Sequence, residues 1–225
     1  GTTGTWAHLA DTVLDEFVLN TVVLCIGVGL GVGSIGVTTA WLTTMLDFPG
    51  RRVFEWALVL PMAMPAYVMA YVYTDFLQFV GPVQSGLREA FGWRAGDYWF
   101  PDVRTVGGAV AMFMFVLYPY AYMLVRAAFL ERAGGMLEAG RSLGLGPWGC
   151  FFRVSLPLAR PAVVGGTALA LMETLADFGT VSYFGVQTFT TGIYRAWFSL
   201  GDRIAAAQLS AALLAFVVIV LSLEH

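Results

Sequence analysis

Lysine is missing altogether; all 12 basic residues are arginine. A P-loop holds its β- and γ-phosphates with a lysine. This chain therefore carries no standard site for ATP hydrolysis, and any work done by ATP reaches it through another polypeptide. Histidine is limited to His8 and His225, and cysteine to Cys25 and Cys150. With so few imidazoles and thiols, no zinc or haem site is expected, and neither a metal ligand set nor a cofactor. Cys25 lies in an apolar run and Cys150 in a loop, so a disulfide between them is not expected. The closing Leu223-Glu224-His225 resembles the start of an expression tag, and His225 is set aside. The Gly/Thr-rich opening lacks the basic region of a secretory leader. H-E-x-x-H and G-x-S-x-G are also absent, so no catalytic residues are expected and the chain does not read as an enzyme.

Charge is scarce as well. Charged residues make up 12% of the chain, against about 25% in ordinary soluble domains. Hydrophobic residues reach 58%, with a mean hydropathy of +0.74. The net charge of −3 excludes a basic nucleic-acid binder. These figures place the chain in the bilayer.

A helix needs about 20 mostly apolar residues to cross the hydrocarbon core. Runs of that kind predict five spans, about 17–46, 53–79, 105–130, 158–178 and 204–223. The expected fold is an all-α, polytopic membrane protein forming a single transmembrane domain over 1–225. Residues 75–104 are polar and rich in turn formers and read as a loop, overlapping the end of the second span. Residues 179–203 read as a re-entrant or interfacial segment followed by a turn. Arginine placement sets the orientation. Arg51, Arg52, Arg126, Arg132, Arg141, Arg153 and Arg160 are expected inside; Arg88, Arg94, Arg104, Arg195 and Arg203 are expected outside. That puts the N-terminus outside. Such a start commonly follows a helix that brings the chain across, so residue 1 is expected to be an internal start.

Gly31-Val-Gly33-Ser-Ile-Gly36 spells G-x-G-x-x-G, a dinucleotide fingerprint when it follows a strand. Here it lies inside an uncharged apolar run with no acidic residue to read a ribose. Gly27/Gly31 and Gly29/Gly33 instead recur at i,i+4, the spacing that lets a second helix approach closely. Pro61, Pro65 and Pro119 fall within predicted spans. Each either shapes a broken helix along a pathway or reflects the ordinary tolerance of membrane helices for proline.

The junction at 131–157 is longer than a connection requires. Leu137–Leu143 reads as a short cytoplasmic helix anchored by Met136, Leu137 and Leu143 and stopped by Gly144 and Gly146-Pro147. Ala139 and Gly140 leave one face nearly bare, open to a partner surface. Pro157 suits the first turn of the following span.

Glu138-Ala139-Gly140, Gly144, Val154 and Leu156-Pro157 resemble the EAA loop of ABC-importer permeases, whose pattern is Glu-Ala-Ala, three residues, Gly, nine residues, Ile, one residue, Leu-Pro. Every interval is kept; Gly140 and Val154 depart in residue type. Asn20-Thr21 is similar to the opening of that family's core domain. Glu173–Phe198 resembles the corresponding segment of iron(III)-type permeases, first half. The resemblance implies a multi-pass protein of the bacterial inner membrane, a non-enzymatic subunit of an ATP-driven importer, with ferric iron as cargo. It also implies partners: an ABC ATPase dimer, a second permease half or subunit, and a periplasmic substrate-binding protein. The coupling residues would be Glu138, Ala139, Gly140, Gly144, Leu156 and Pro157. Related systems carry thiamine or polyamines, and a stand-alone channel or secondary transporter is the reading from another class; the regular EAA spacing speaks against it.

Glu173 and Asp177 stand at i,i+4 in the fourth span and are expected on one helix face. Either they line the outer part of a path for a cation, or they pair with Arg, backbone N–H groups or loop residues near Gly179. Tyr118, Tyr120 and Tyr122 could add oxygen ligands, with packing as the plainer role.

Overall fold

The computed structural model describes residues 14–223 and, within them, not the side chains of residues 132–134, 136, 137, 141 and 223. Expectations placed on His8 and His225, and on the side chains of Arg132, Met136, Leu137 and Arg141, lie outside the described residues. The protein is all-α, with no strand among the described residues. In chain order the helices are α1 (Leu14–Met45), α2 (Arg51–Ala57), α3 (Ala66–Leu77), α4 (Pro82–Phe91), α5 (Val106–Ser142), α6 (Pro147–Cys150), α7 (Leu156–Ala176), α8 (Gly179–Tyr183), α9 (Phe189–Tyr194) and α10 (Arg203–Leu223).

Four stretches are long and apolar enough to cross a membrane: Leu14–Met45, Val106–Glu131, Pro147–Ala176 and Arg203–Ser222. The broken pair Arg51–Ala63 and Ala66–Phe91 supplies a fifth if taken as one span. Of the two readings open for Pro61 and Pro65 in the second span, the structure has the broken helix. The break has a local cause: Met64, preceding Pro65, is extended at φ −123°, ψ 140°, the conformation a following proline ring favours. Pro119, by contrast, sits inside an unbroken α5. Within 75–104, expected as loop, α4 forms between Gly81 and Gly92, with Pro82 in its first turn.

The chain divides into two compact units. The first comprises residues up to Ile26, Ala66–Met112 and the chain from Thr174. Its core gathers Phe17, Phe189, Ala196, Ala205, Ala206 and Leu209. Gly192 lies against the Phe17 ring, where a Cβ would sit 2.5 Å from Cε2. Elsewhere in this unit α3 meets α8: the rings of Tyr71 and Tyr183 lie 4.1 Å apart.

The second unit comprises Gly27–Pro65 and Phe113–Glu173. Its helices α1, α5 and α7 converge on Ala121. A Cβ on Gly36 would lie 2.6 Å from Ala121 Cβ, and one on Gly166 would lie 2.5 Å from Ala121 Cα. Gly31 is pressed against Met114, with Sδ 2.6 Å from a Cβ placed there. Gly29 and Gly33 face Thr167 at ordinary distances of 3.5–3.7 Å. The glycine run thus packs helices, as its context implies, with equally close approaches of 2.6 Å at Gly31 and Gly36.

Introducing bulk at these approaches costs about 1–3 kcal/mol through overpacking. Gly36→Val and Gly166→Val should each lower the midpoint of thermal unfolding in detergent. Gly33→Ala, which meets only Thr167 Oγ1 at 3.5 Å, should stay within about 0.5 kcal/mol of the parent.

Candidate functional site

The segment 131–157 is helical for most of its length. Nothing between Arg126 and Ser142 interrupts α5, because Ala127, Ala128, Leu130 and Glu131 are good helix formers. The separate helix expected at Leu137–Leu143 is instead the last turns of α5. Its end is built by glycine. Gly144 sits at φ +67°, and Leu145 N donates to Gly140 O at 2.9 Å, the six-to-one bond of a Schellman end. Leu143, expected as an anchor, is 70% exposed because it is the residue leaving the helix.

Gly146 is extended and Pro147 opens α6, where a missing N–H costs nothing. A wide turn follows at Phe151–Ser155, with Leu156 N bonding to Phe151 O five residues back. Pro157 comes next. It lacks the N–H for the bond to residue 153, and the widened turn relieves the clash its ring would make there. The helix therefore starts at Pro147, ten residues before the proline expected to open it.

The room expected at Gly140 for a partner is filled from within the chain. Cys150 Sγ lies 2.6 Å from where a Cβ of Gly140 would stand, and Cys150 Cβ lies 3.1 Å away. Gly140 is buried, whereas Glu138 and Ala139 are exposed. Beneath the turn, Phe151 meets Trp41 of α1 at 4.9 Å, and Trp41 meets Phe129 of α5 at 5.8 Å. Leu156 and Val154 pack on the same cluster, while Pro157 is exposed. Outside, Trp148 (69% exposed) stacks on Phe152 (60% exposed). Trp148, Phe152 and Leu143 are thus all exposed apolar side chains of this segment. The aromatic support under the turn was not anticipated; Trp41 and Phe129 lie far from it in sequence, and apolar spacing alone does not pair them.

An ionic chain flanks this unit. Glu55 holds Arg51 at 3.1 Å and Arg126 at 3.4 Å, and Arg51 also reaches Asp47 at 2.7 Å. Tyr122 donates to Glu55 O at 2.9 Å.

Glu173 and Asp177 do not share a helix face. α7 ends at Ala176, because the Asp177 carboxylate turns the chain onto the next helix instead of continuing this one. It accepts from Thr180 N at 2.6 Å and Thr180 Oγ1 at 3.0 Å. Asp177 thus pairs with Thr180, in the first turn of α8 beside Gly179. Glu173 is exposed on α7, with the Tyr120 phenol near its carboxylate. Tyr118 and Tyr122, on the opposite side of α5, belong to the core. Among the described residues no group of three His, Cys, Asp or Glu is placed to hold a metal. Asn20 and Thr21 tie α1 to the segment before α9: Asn20 Nδ2 donates to Gln187 O at 2.9 Å, and Phe189 N to Thr21 Oγ1 at 3.4 Å.

Comparison with known proteins adds three findings. Residues 33–224 match the family model described as binding-protein-dependent transport system inner membrane component. An Fe(3+)-transport system permease protein of Haemophilus influenzae, FbpB 2, is 27% identical over 92% of this chain, which spans 36% of that relative. The molybdenum transport system permease protein ModB of Escherichia coli K12 is 30% identical over 77% of this chain and 76% of its own length. Among solved structures, a bacterial ABC transporter involved in import of the acidic polysaccharide alginate shares the fold. Its TM-score is 0.75 at 15% identity, over 97% of this chain and 82% of that one.

Asp177→Ala removes both acceptors from Thr180 and should lower stability by about 1 kcal/mol, the usual effect of losing a capping side chain. Asp177→Asn keeps one acceptor and should recover most of it, as read by thermal unfolding.

Proposed function

The chain belongs to the family of binding-protein-dependent transport system inner membrane components, and on that premise we propose that it is the permease part of an ATP-driven importer for ferric iron in the bacterial inner membrane. ATP would be hydrolysed in a separate dimeric ATPase docking on the α5–α6 turn. A second permease half or subunit would complete the pathway, and a periplasmic binding protein would deliver cargo.

The observation that carries this reading is the form of the turn. Leu143, Trp148 and Phe152 stand exposed over an aromatic cluster of Trp41, Phe129 and Phe151. Exposed apolar side chains on a rigid base are what a docking partner needs. Glu138 and Ala139 would face the ATPase; Gly140 and Gly144 would shape the helix end; Leu156 and Pro157 would carry the push into α7.

Glu173 supports the cation. An ionised group in mid-span costs about 2.5–3.5 kcal/mol on insertion scales, and such groups face cavities or partners. Glu173 would line the path, with the Tyr120 phenol near its carboxylate. Asp177 would act beside it by fixing the turn at Thr180. The iron relative matches 92% of this chain. An oxyanion cargo is the second reading, favoured by the molybdenum relative, of which this chain covers 76%.

Disulfide crosslinking tests the coupling. With Cys25 and Cys150 replaced, Ala139→Cys should crosslink to single cysteines in the docking groove of the ATPase, with a yield that changes with ATP. If no groove position crosslinks while both proteins are folded in the membrane, the turn is structural and a stand-alone channel or secondary transporter takes precedence. For the cargo, Glu173→Gln in vesicles should lower ferric uptake about tenfold and leave molybdate uptake unsupported. ATP-dependent molybdate uptake by the parent would assign the oxyanion instead.

A further inference from the structure

Gly140 and Cys150 occupy each other's space. Cys150 is 4% exposed, and its Sγ and Cβ lie 2.6 and 3.1 Å from the position a Gly140 Cβ would take. Real Cβ contacts are not found at the shorter distance, so a Cβ at 140 forces the Cys150 thiol to turn aside and presses on the Cys150 Cβ, which must give by a few tenths of an ångström. Both partners sit at capped ends. Gly140 accepts the closing bond of α5 from Leu145, and Cys150 N donates to Gly146 O at 2.9 Å as α6 winds. Phe151, next to Cys150, is held by Trp41 at 4.9 Å. A shift at Cys150 therefore meets a packed ring on one side and a backbone turn on the other.

We infer that Gly140 and Cys150 are paired positioning residues: their contact fixes the angle between the end of α5 and the start of α6, and so sets how far ATPase movement reaches α7. The inference rests on the permease reading and goes beyond it by naming the internal joint. The permease pattern has alanine where this chain has Gly140; in this chain an alanine there fits only if the Cys150 thiol turns aside or is removed. Position 140 thus acts inside the permease, and Ala139 beside it faces outward.

The test uses the complete transporter in membrane vesicles, with its ATPase and binding protein. ATP hydrolysis, ATP-dependent uptake and the thermal midpoint are measured on the same preparations. Gly140→Ala should lower uptake per ATP hydrolysed about fivefold, within the range of roughly 2- to 30-fold that residues in a coupling network command. Cys150→Ala alone removes the Sγ side of the contact and should itself lower the ratio about threefold, by loosening the joint where Gly140→Ala overfills it. Combining the two leaves only the 3.1 Å contact and should restore most of the ratio. A ratio unchanged in Gly140→Ala overturns the inference, as does a loss confined to the amount or midpoint of folded protein. Failure of the double variant to recover also overturns it. A parent complex with no ATP-dependent uptake would sink the permease reading itself, a result separate from these.

Discussion

Close approach of helix backbones at Ala121 is the constraint on which the second unit depends. In hydrocarbon, apolar side chains gain nothing by leaving lipid for protein, so each helix satisfies its own backbone and association rests on tight packing and on hydrogen bonds between helices. Gly36 and Gly166 let α1 and α7 reach the α5 backbone at Ala121. The hydroxyls of Thr39, Thr43 and Thr44 bond to carbonyls one turn back, which leaves them no need of outside partners. That close contact brings Trp41 within range of Phe129 and Phe151, and the aromatic cluster in turn supports the α5–α6 turn.

The candidate site is thus assembled from parts distant in sequence. Glu55 joins Arg51 and Arg126, and Tyr122 reaches the Glu55 carbonyl, so α2 and α5 are linked on the polar side of the same unit. Nothing in this arrangement is a catalytic constellation. It consists of a helix end closed by Gly144, a turn, and a second helical stretch whose Cys150 and Phe151 are buried in the same unit.

Much of the fold was legible from apolar runs, since a long uncharged stretch has one stable form in a bilayer. The runs at 17–46, 105–130 and 204–223 fall on α1, α5 and α10, with one residue of overhang at 46 and at 105. Legibility failed where a local bond competes with helix continuation. Asp177 bonds to Thr180 and ends α7, so the i,i+4 argument for Glu173 and Asp177 lost its premise. Met64 before Pro65 decided between the two readings left open for the prolines of the second span, in favour of a break there. At the turn the reverse occurred: Leu137–Leu143 read as a separate short helix, yet α5 runs without a break to Ser142, since glycines within a helix weaken it without necessarily stopping it. The Gly140–Cys150 contact had no sequence signal, because a cavity and the atom filling it are visible only together.

The wide turn at Phe151–Ser155 has a further consequence. One additional residue in a helical turn rotates everything before it by about 100° relative to everything after, at 3.6 residues per turn. Phe151–Ser155 therefore works as a phase shifter between α6 and α7. The direction in which Trp148 points is decoupled from the stripe that Gly165 and Gly166 present on α7. A surface for an external partner and a seam for internal packing can then be altered separately, although a single continuous helical stretch carries both.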